Sequence, residues 1–183
     1  MKQLIQNLSN GETSIEDVPR PNCSAGSVLI KSYCSLISTG TEKMLVDFGR
    51  SSIIGKARKQ PEKVKMVLDK IKTDGLLHTY DAVKTKLDEP LPLGYCNSGI
   101  VIESRADEFS VGDRVISNGP HAEIVCVPKN LCVKIPDSVD FHSASFSVLS
   151  SVALQGIRLA NPTIGEAFVV FGLGLVGQIT TQI

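Results

Sequence analysis

Near its C-terminal end the chain reads AFVVFGLGLVGQITTQI, residues 167–183, and no other stretch restricts its fold as much. Residues 167–171 are aromatic, β-branched or small and read as a buried strand. Gly172-Leu-Gly-Leu-Val-Gly177 then reads as a tight turn that opens into a helix. In such a strand–turn–helix the first glycine turns the chain, the second lets a phosphate group approach the backbone, and the third packs helix on strand. Free N–H groups at the helix start face that phosphate. The competing reading is a tight turn and nothing more. A strand of this kind belongs at the centre of a parallel sheet, buried on both faces. Only about six residues follow Gly177, and helices that short are marginal in water. An unpaired strand, with self-association or a displaced C-terminal segment, is therefore expected of these residues.

The 183 residues accommodate one full domain and part of a second. Hydrophobic residues make up 42% and charged ones 21%, a globular composition. The 19 basic and 19 acidic side chains cancel, which argues against a nucleic-acid or membrane-surface partner. No apolar run reaches the 18 or so residues a bilayer span needs, and the opening MKQLIQN lacks a signal-peptide apolar region. Five cysteines, none in a C-x-x-C pair, read as reduced thiols of a cytoplasmic protein.

Short β-like runs punctuated by Gly, Pro, Asn or Asp recur at 27–38, 98–104, 112–117, 121–128 and 131–136. That spacing predicts a small, mainly antiparallel barrel or sandwich. Two helices interrupt it. In QPEKVKMVLDKIKTDG, Pro61 suits a first helical position, Val64, Val67, Leu68 and Ile71 form one stripe, and Gly75 stops the helix. LLHTYDAVKTKL places Leu76, Tyr80, Val83 and Leu87 on one face. The basic residues Lys56, Arg58, Lys59, Lys63 and Lys65 read as a solvated helix face, with a phosphate or partner site as the alternative. A longer apolar helix follows at roughly 143–160.

A small barrel, a linking helix and a glycine turn occur in that order. VLIKSYCSLISTGTE, LGYCNSGIV, FSVGDRV, HAEIVCVPKNLCVKIPDSVDFHSASF and VVFGLGLVG together resemble the medium-chain dehydrogenases/reductases, alcohol-dehydrogenase-like enzymes with a GroES-like N-terminal domain. The STGTE turn, the insertion ending in LDEPLPLGY and SGIV resemble one zinc-lacking branch, often the front half of two-part oxidoreductases. The resemblance implies a mainly β fold class: a GroES-like barrel over residues 1–142 with a helical insertion at about 56–89. Residues 143–183 would then be the linking helix and the first strand-turn-helix of a truncated Rossmann α/β domain. The acidic residue that would hold the ribose lies beyond Ile183, so NAD and NADP both stay open.

Zinc-dependent members of that family carry a Cys, then a His-Glu pair after a Gly, then a third ligand near the linking helix. By resemblance, Ser38 or Thr39 stands for the Cys, Tyr95 and Cys96 for the pair, and Val148 for the third ligand. Zinc needs three or four Cys, His or carboxylate ligands, so no metal is expected. The catalytic candidates the resemblance leaves are Tyr95, Thr41 and Ser38, hydroxyls that could polarise or protonate a substrate oxygen. The alternatives have Thr41 and Ser38 satisfying turn backbone and Tyr95 filling the gap of a lost ligand. Cys96 reads as an inert, half-buried thiol, Glu42 as support for the turn, and His121 as packing. His78 on the inserted helix and His142 in a loop read as surface residues.

The cofactor-binding candidates are Gly172, Gly174, Leu175, Val176 and Gly177, for NAD or NADP in a full-length protein and for neither in this chain by itself. The expected function is the N-terminal part of a zinc-independent NAD(P)-dependent oxidoreductase on an alcohol or carbonyl, sugar-related substrate. The expected partner is that small molecule. The alternative is a non-catalytic binding or scaffold remnant of the same fold.

Overall fold

The computed structural model describes residues 1–183 apart from the side chain of Ile53. The chain forms two compact units. The first joins Met1–Gln3, Asp17–Thr39 and Gly94–Ile183, and the second joins Leu4–Glu16 and Gly40–Leu93.

The first unit is built on five antiparallel strands in the order β7-β3-β5-β6-β8. These are β3 (Ser27–Ser35), β5 (Asn97–Ser104), β6 (Arg114–Ser117), β7 (Ile124–Pro128) and β8 (Cys132–Lys134). Alternation sets the core. Val28, Ile30, Val101, Val115, Val125 and Val127 all point inward and are buried, with Ala106, Phe109 and Cys132 closing the cluster. Each fully buried valine of this kind contributes about 1.5–2 kcal/mol of transfer free energy. The β3–β5 register shifts between Leu29 and Ile30 and again between Ser32 and Cys34. Bulges of this type bend and twist a strand, and the sheet is curled. The strands fall within the runs expected from sequence but are shorter, except that β5 gains Asn97.

Two helices, α5 (Phe141–Ala144) and α6 (Ser147–Ala160), occupy the place of the single one expected at 143–160. Asp140 caps the first, accepting from Ser143 N–H at 2.9 Å, which holds its carboxyl below the ordinary aspartate value. His142 thus lies in a helix rather than a loop, exposed as expected. Arg114 lies over the Phe141 ring at 4.7 Å and donates to Val139 O at 2.6 Å, tying down the loop before α5. Helix α7 (Leu175–Gln182) packs on α6.

Residues 167–171 form no strand. Phe168, Val169 and Phe171 are 57, 75 and 95% exposed. The strand propensity of the segment is real, but a buried parallel strand needs a neighbour on each side, and none pairs with it among the described residues.

The second unit carries most of the helix: α1 (Thr41–Gly49), α2 (Ile53–Lys59), α3 (Pro61–Asp74) and α4 (Leu76–Asp88). Pro61 opens α3, and Gly75, at φ +86°, separates it from α4. Ser52 caps α2 by accepting from Gly55 N–H. Strands β1 (Lys2–Gln6), β2 (Thr13–Asp17) and β4 (Leu91–Pro92) form a second sheet in the order β2-β1-β4. With 39% helix and 23% strand, the fold is mixed α/β rather than mainly β. Helix α1, which the STGTE turn reading passed over, adds to the helical share, and α2 falls largely within the insertion expected at about 56–89.

Two further expectations for this unit change. Leu68, Leu76 and Tyr80 are exposed although they belong to apolar stripes, while Val64, Val67, Ile71, Val83 and Leu87 are half-buried. Lys56 is buried rather than part of a solvated face, because its ammonium donates to Ser9 O at 2.9 Å. No described helix is long and apolar enough to cross a membrane.

Candidate functional site

The site lies where β3 and β5 meet at one end of the curled sheet. Ser35, the last residue of β3, pairs with Asn97, the first of β5. One residue beyond the ladder, Leu36 N–H donates to Cys96 O at 2.9 Å. Further on, the Tyr95 phenol donates to Ser38 Oγ at 2.6 Å. Ser38 is buried and Tyr95 half-buried, so this is a short hydroxyl pair largely screened from water. Two of the three catalytic candidates therefore meet.

Beneath the pair, buried polar groups fix the strand ends. Asn97 Nδ2 donates to Ser32 Oγ at 2.7 Å, and Ser117 Oγ donates to Asn97 Oδ1 at 3.5 Å. Asn97 and Ser117 are both buried. An unsatisfied polar group at such a depth costs about 1–3 kcal/mol, so these bonds hold three strands in one register.

Tyr95 follows Gly94, whose φ of +93° is one that side-chain-bearing residues rarely adopt. A Cβ at Gly94 would lie 2.6 Å from the Cγ and Cδ2 atoms of His121. The His121 ring thus packs flush on the glycine, and its Nδ1 is 2.7 Å from Ser35 Oγ. Sequence reading favoured packing over catalysis for His121, and no local pattern marks it. Its position becomes meaningful only through two contacts distant in sequence.

Thr41, the third catalytic candidate, lies in the second unit as the first residue of α1 and is exposed. The STGTE stretch is therefore a turn only up to Gly40, and Glu42 is a buried first-turn residue of the helix. Cys96 is fully rather than half buried. None of the five cysteines is in a disulfide. Val148 is a half-buried residue of α6, and His78 is exposed on α4. Among the described residues, no three His, Cys, Asp or Glu side chains cluster as a metal ion would require.

The glycine turn has its own geometry. Gly172 has φ +92°, and a Cβ at Gly177 would lie 2.0 Å from Gly172 O. Those two positions need glycine for internal reasons. Gly174 does not: its φ is −70° and a Cβ there would meet nothing within 4 Å. Leu175 and Val176 form the first turn of α7.

No family model matches the chain. It is 34% identical over 96 residues to D-guloside 3-dehydrogenase of Escherichia coli K12, a match covering 50% of this chain and 27% of that protein. Galactitol-1-phosphate dehydrogenase from Escherichia coli superposes on all of this chain with a TM-score of 0.71 at 15% identity, over 51% of its own length. A protein described as the short chain alcohol dehydrogenase rspB from Escherichia coli CFT073, solved with NADH, also gives 0.71, at 18% identity over 52% of its length. The chain thus spans about half of each solved structure and a smaller share of the curated relative. These relatives and structural neighbours are sugar and alcohol dehydrogenases; the chain shares their fold, which supports the medium-chain resemblance.

Proposed function

We propose that the chain is the N-terminal part of a zinc-independent, NAD(P)-dependent oxidoreductase that acts on an alcohol or carbonyl of a sugar-related substrate. The observation that carries the reading is the Tyr95–Ser38 hydroxyl pair, bonded at 2.6 Å at the positions where the resemblance puts metal ligands in zinc enzymes. A substrate hydroxyl can give its proton to Tyr95 Oη while Tyr95 passes its own to Ser38 Oγ and Ser38 passes its hydroxyl proton on to solvent water. In the reverse direction the phenol donates to a carbonyl oxygen, the proton stays there as the alcohol forms, and a solvent proton returns to Tyr95 through Ser38.

The glycine turn suits a dinucleotide. Neither backbone nor packing explains a missing side chain at Gly174, and a pyrophosphate approaching the backbone would explain it. The backbone of Gly172, Gly174, Leu175, Val176 and Gly177 would hold that group. When bound, the nicotinamide supplies the hydride donor or acceptor. The sugar preference rests on the D-guloside and galactitol-1-phosphate enzymes among the relatives and neighbours.

The test is Tyr95→Phe in the full-length protein, assayed with sugar-derived alcohols and either dinucleotide. Turnover should fall by roughly 10²-fold or more with cofactor affinity nearly unchanged, and activity should survive chelator. Unchanged turnover would return Tyr95 to gap filling. Activity lost to chelator and restored by zinc would end the zinc-independent reading, and no turnover by the unaltered protein would favour a non-catalytic module.

A further inference from the structure

We infer that His121 is a positioning residue for Tyr95, an inference that rests on the catalytic reading of the Tyr95–Ser38 pair. Tyr95 is attached to a glycine at φ +93°. Glycine samples many conformations there at little cost, so a phenol carried on it would sweep through several positions. The three atoms nearest to a Cβ built on Gly94 are all from His121: Cδ2 and Cγ at 2.6 Å and the backbone N at 2.7 Å. The imidazole therefore fills the space a side chain would have filled and removes the freedom that glycine brings.

The ring is itself held from both sides. Its Nδ1 engages Ser35 Oγ at 2.7 Å, three residues before Ser38 on the same strand end. The residues after it are pinned to the N-terminal strand: Ala122 bridges Gln3, Glu123 N–H donates to Lys2 O at 3.0 Å, and Lys2 N–H donates to the Glu123 carboxylate at 2.8 Å. Pro120, just before, restricts the backbone further. His121 thus joins the segment that carries Ser38 to the glycine that carries Tyr95, and sets the two hydroxyls in one register. Misplacing a reacting group by about 1 Å can cost about 10²-fold in rate, so the ring acts on chemistry without touching substrate.

The experiment compares His121→Ala, Tyr95→Phe and the double variant in the full-length protein. His121→Ala should lower kcat by roughly 10–100-fold with KM within about twofold, as expected for an interaction that matters only in the transition state. His121→Asn, which keeps a polar atom near the Nδ1 position, should recover part of that loss. The double variant should be no slower than Tyr95→Phe alone. In parallel, the tyrosine ¹³Cζ resonance that disappears in Tyr95→Phe should shift in His121→Ala. A slow Tyr95→Phe beside a His121→Ala of normal kcat overturns the inference and leaves the catalytic reading intact. Multiplicative losses in the double variant, or an unmoved Tyr95 resonance, overturn it as well. A Tyr95→Phe enzyme of normal turnover removes the catalytic reading, and the positioning role with it. Should His121→Ala fail to fold, His121→Gln, which removes the ring from Gly94 but keeps a polar side chain, gives the same comparison.

Discussion

Cys132 closes the core of the curled sheet, buried beside Val115 and Val127. Burial pushes its thiol up to about 12, well above its ordinary value of 9.0, and the nearby Asp113 carboxylate adds to the effect. Burial also raises the thiol of Cys23. For both, the folded chain holds a proton that the unfolded chain releases once the pH passes the unfolded value. Their contribution to stability is therefore intact below about pH 9 and declines as pH rises toward the folded value. The urea midpoint should fall between pH 8 and pH 10.5, and Cys132→Ala should flatten that fall. An equally steep fall in the variant would count against Cys132 as a source. At this scale the resemblance named Tyr95 and Ser38, which the fold brings within a hydrogen bond of each other. The sequence was silent on contacts between residues far apart in the chain. Nothing around His121 announces Gly94, and nothing around Lys56 announces the Ser9 carbonyl that buries it.

Among the elements, the strands of the curled sheet were legible because alternation and turn residues bound them, and α3 and α4 because Pro61 and Gly75 mark their ends. Helix α1 was not, although Glu42 in its first turn and Met44, Leu45 and Phe48 behind it are helix signals. A turn motif drew attention from the periodicity beyond it. Strand β1 is short, and its pairing with β4 joins Ile5 to Pro92, a contact no local pattern encodes. The glycine turn allows a sharper test. Gly174→Ala in the full-length protein should weaken NAD or NADP binding at least tenfold while stability changes by less than ~1 kcal/mol, the scale of a helix N-cap exchange. Gly177→Ala should disturb the turn itself, since its Cβ would collide with Gly172 O. Calorimetric titration and thermal melts separate the two outcomes, and a Gly174→Ala protein that binds dinucleotide normally would remove the ligand explanation for that glycine.

For the molecule as a whole, apolar side chains concentrate toward the C-terminal end: Leu159, Ile164, Phe168, Val169, Phe171 and Leu173 are all largely exposed. Patches of this kind favour association with another chain, and residues 168–171 retain the composition of a strand without a partner. The 183-residue chain is accordingly expected to self-associate at micromolar concentration. Phe168→Asp with Phe171→Ser should return it toward monomer in sedimentation velocity, and a monomeric unaltered chain would refute the expectation. The route of the polypeptide has a consequence of another kind. Strand β3 pairs with β5 and β7, but the residues of α1 to α4 are made before either partner. On a ribosome adding about 5–20 residues per second, the apolar run Val28-Leu29-Ile30 waits for seconds with its ladder unmade. The helices of the second unit need no such delay, since helix formation takes microseconds or less. Folding order therefore runs against chain order: the inserted helices can form while the older strand is still waiting for its partners.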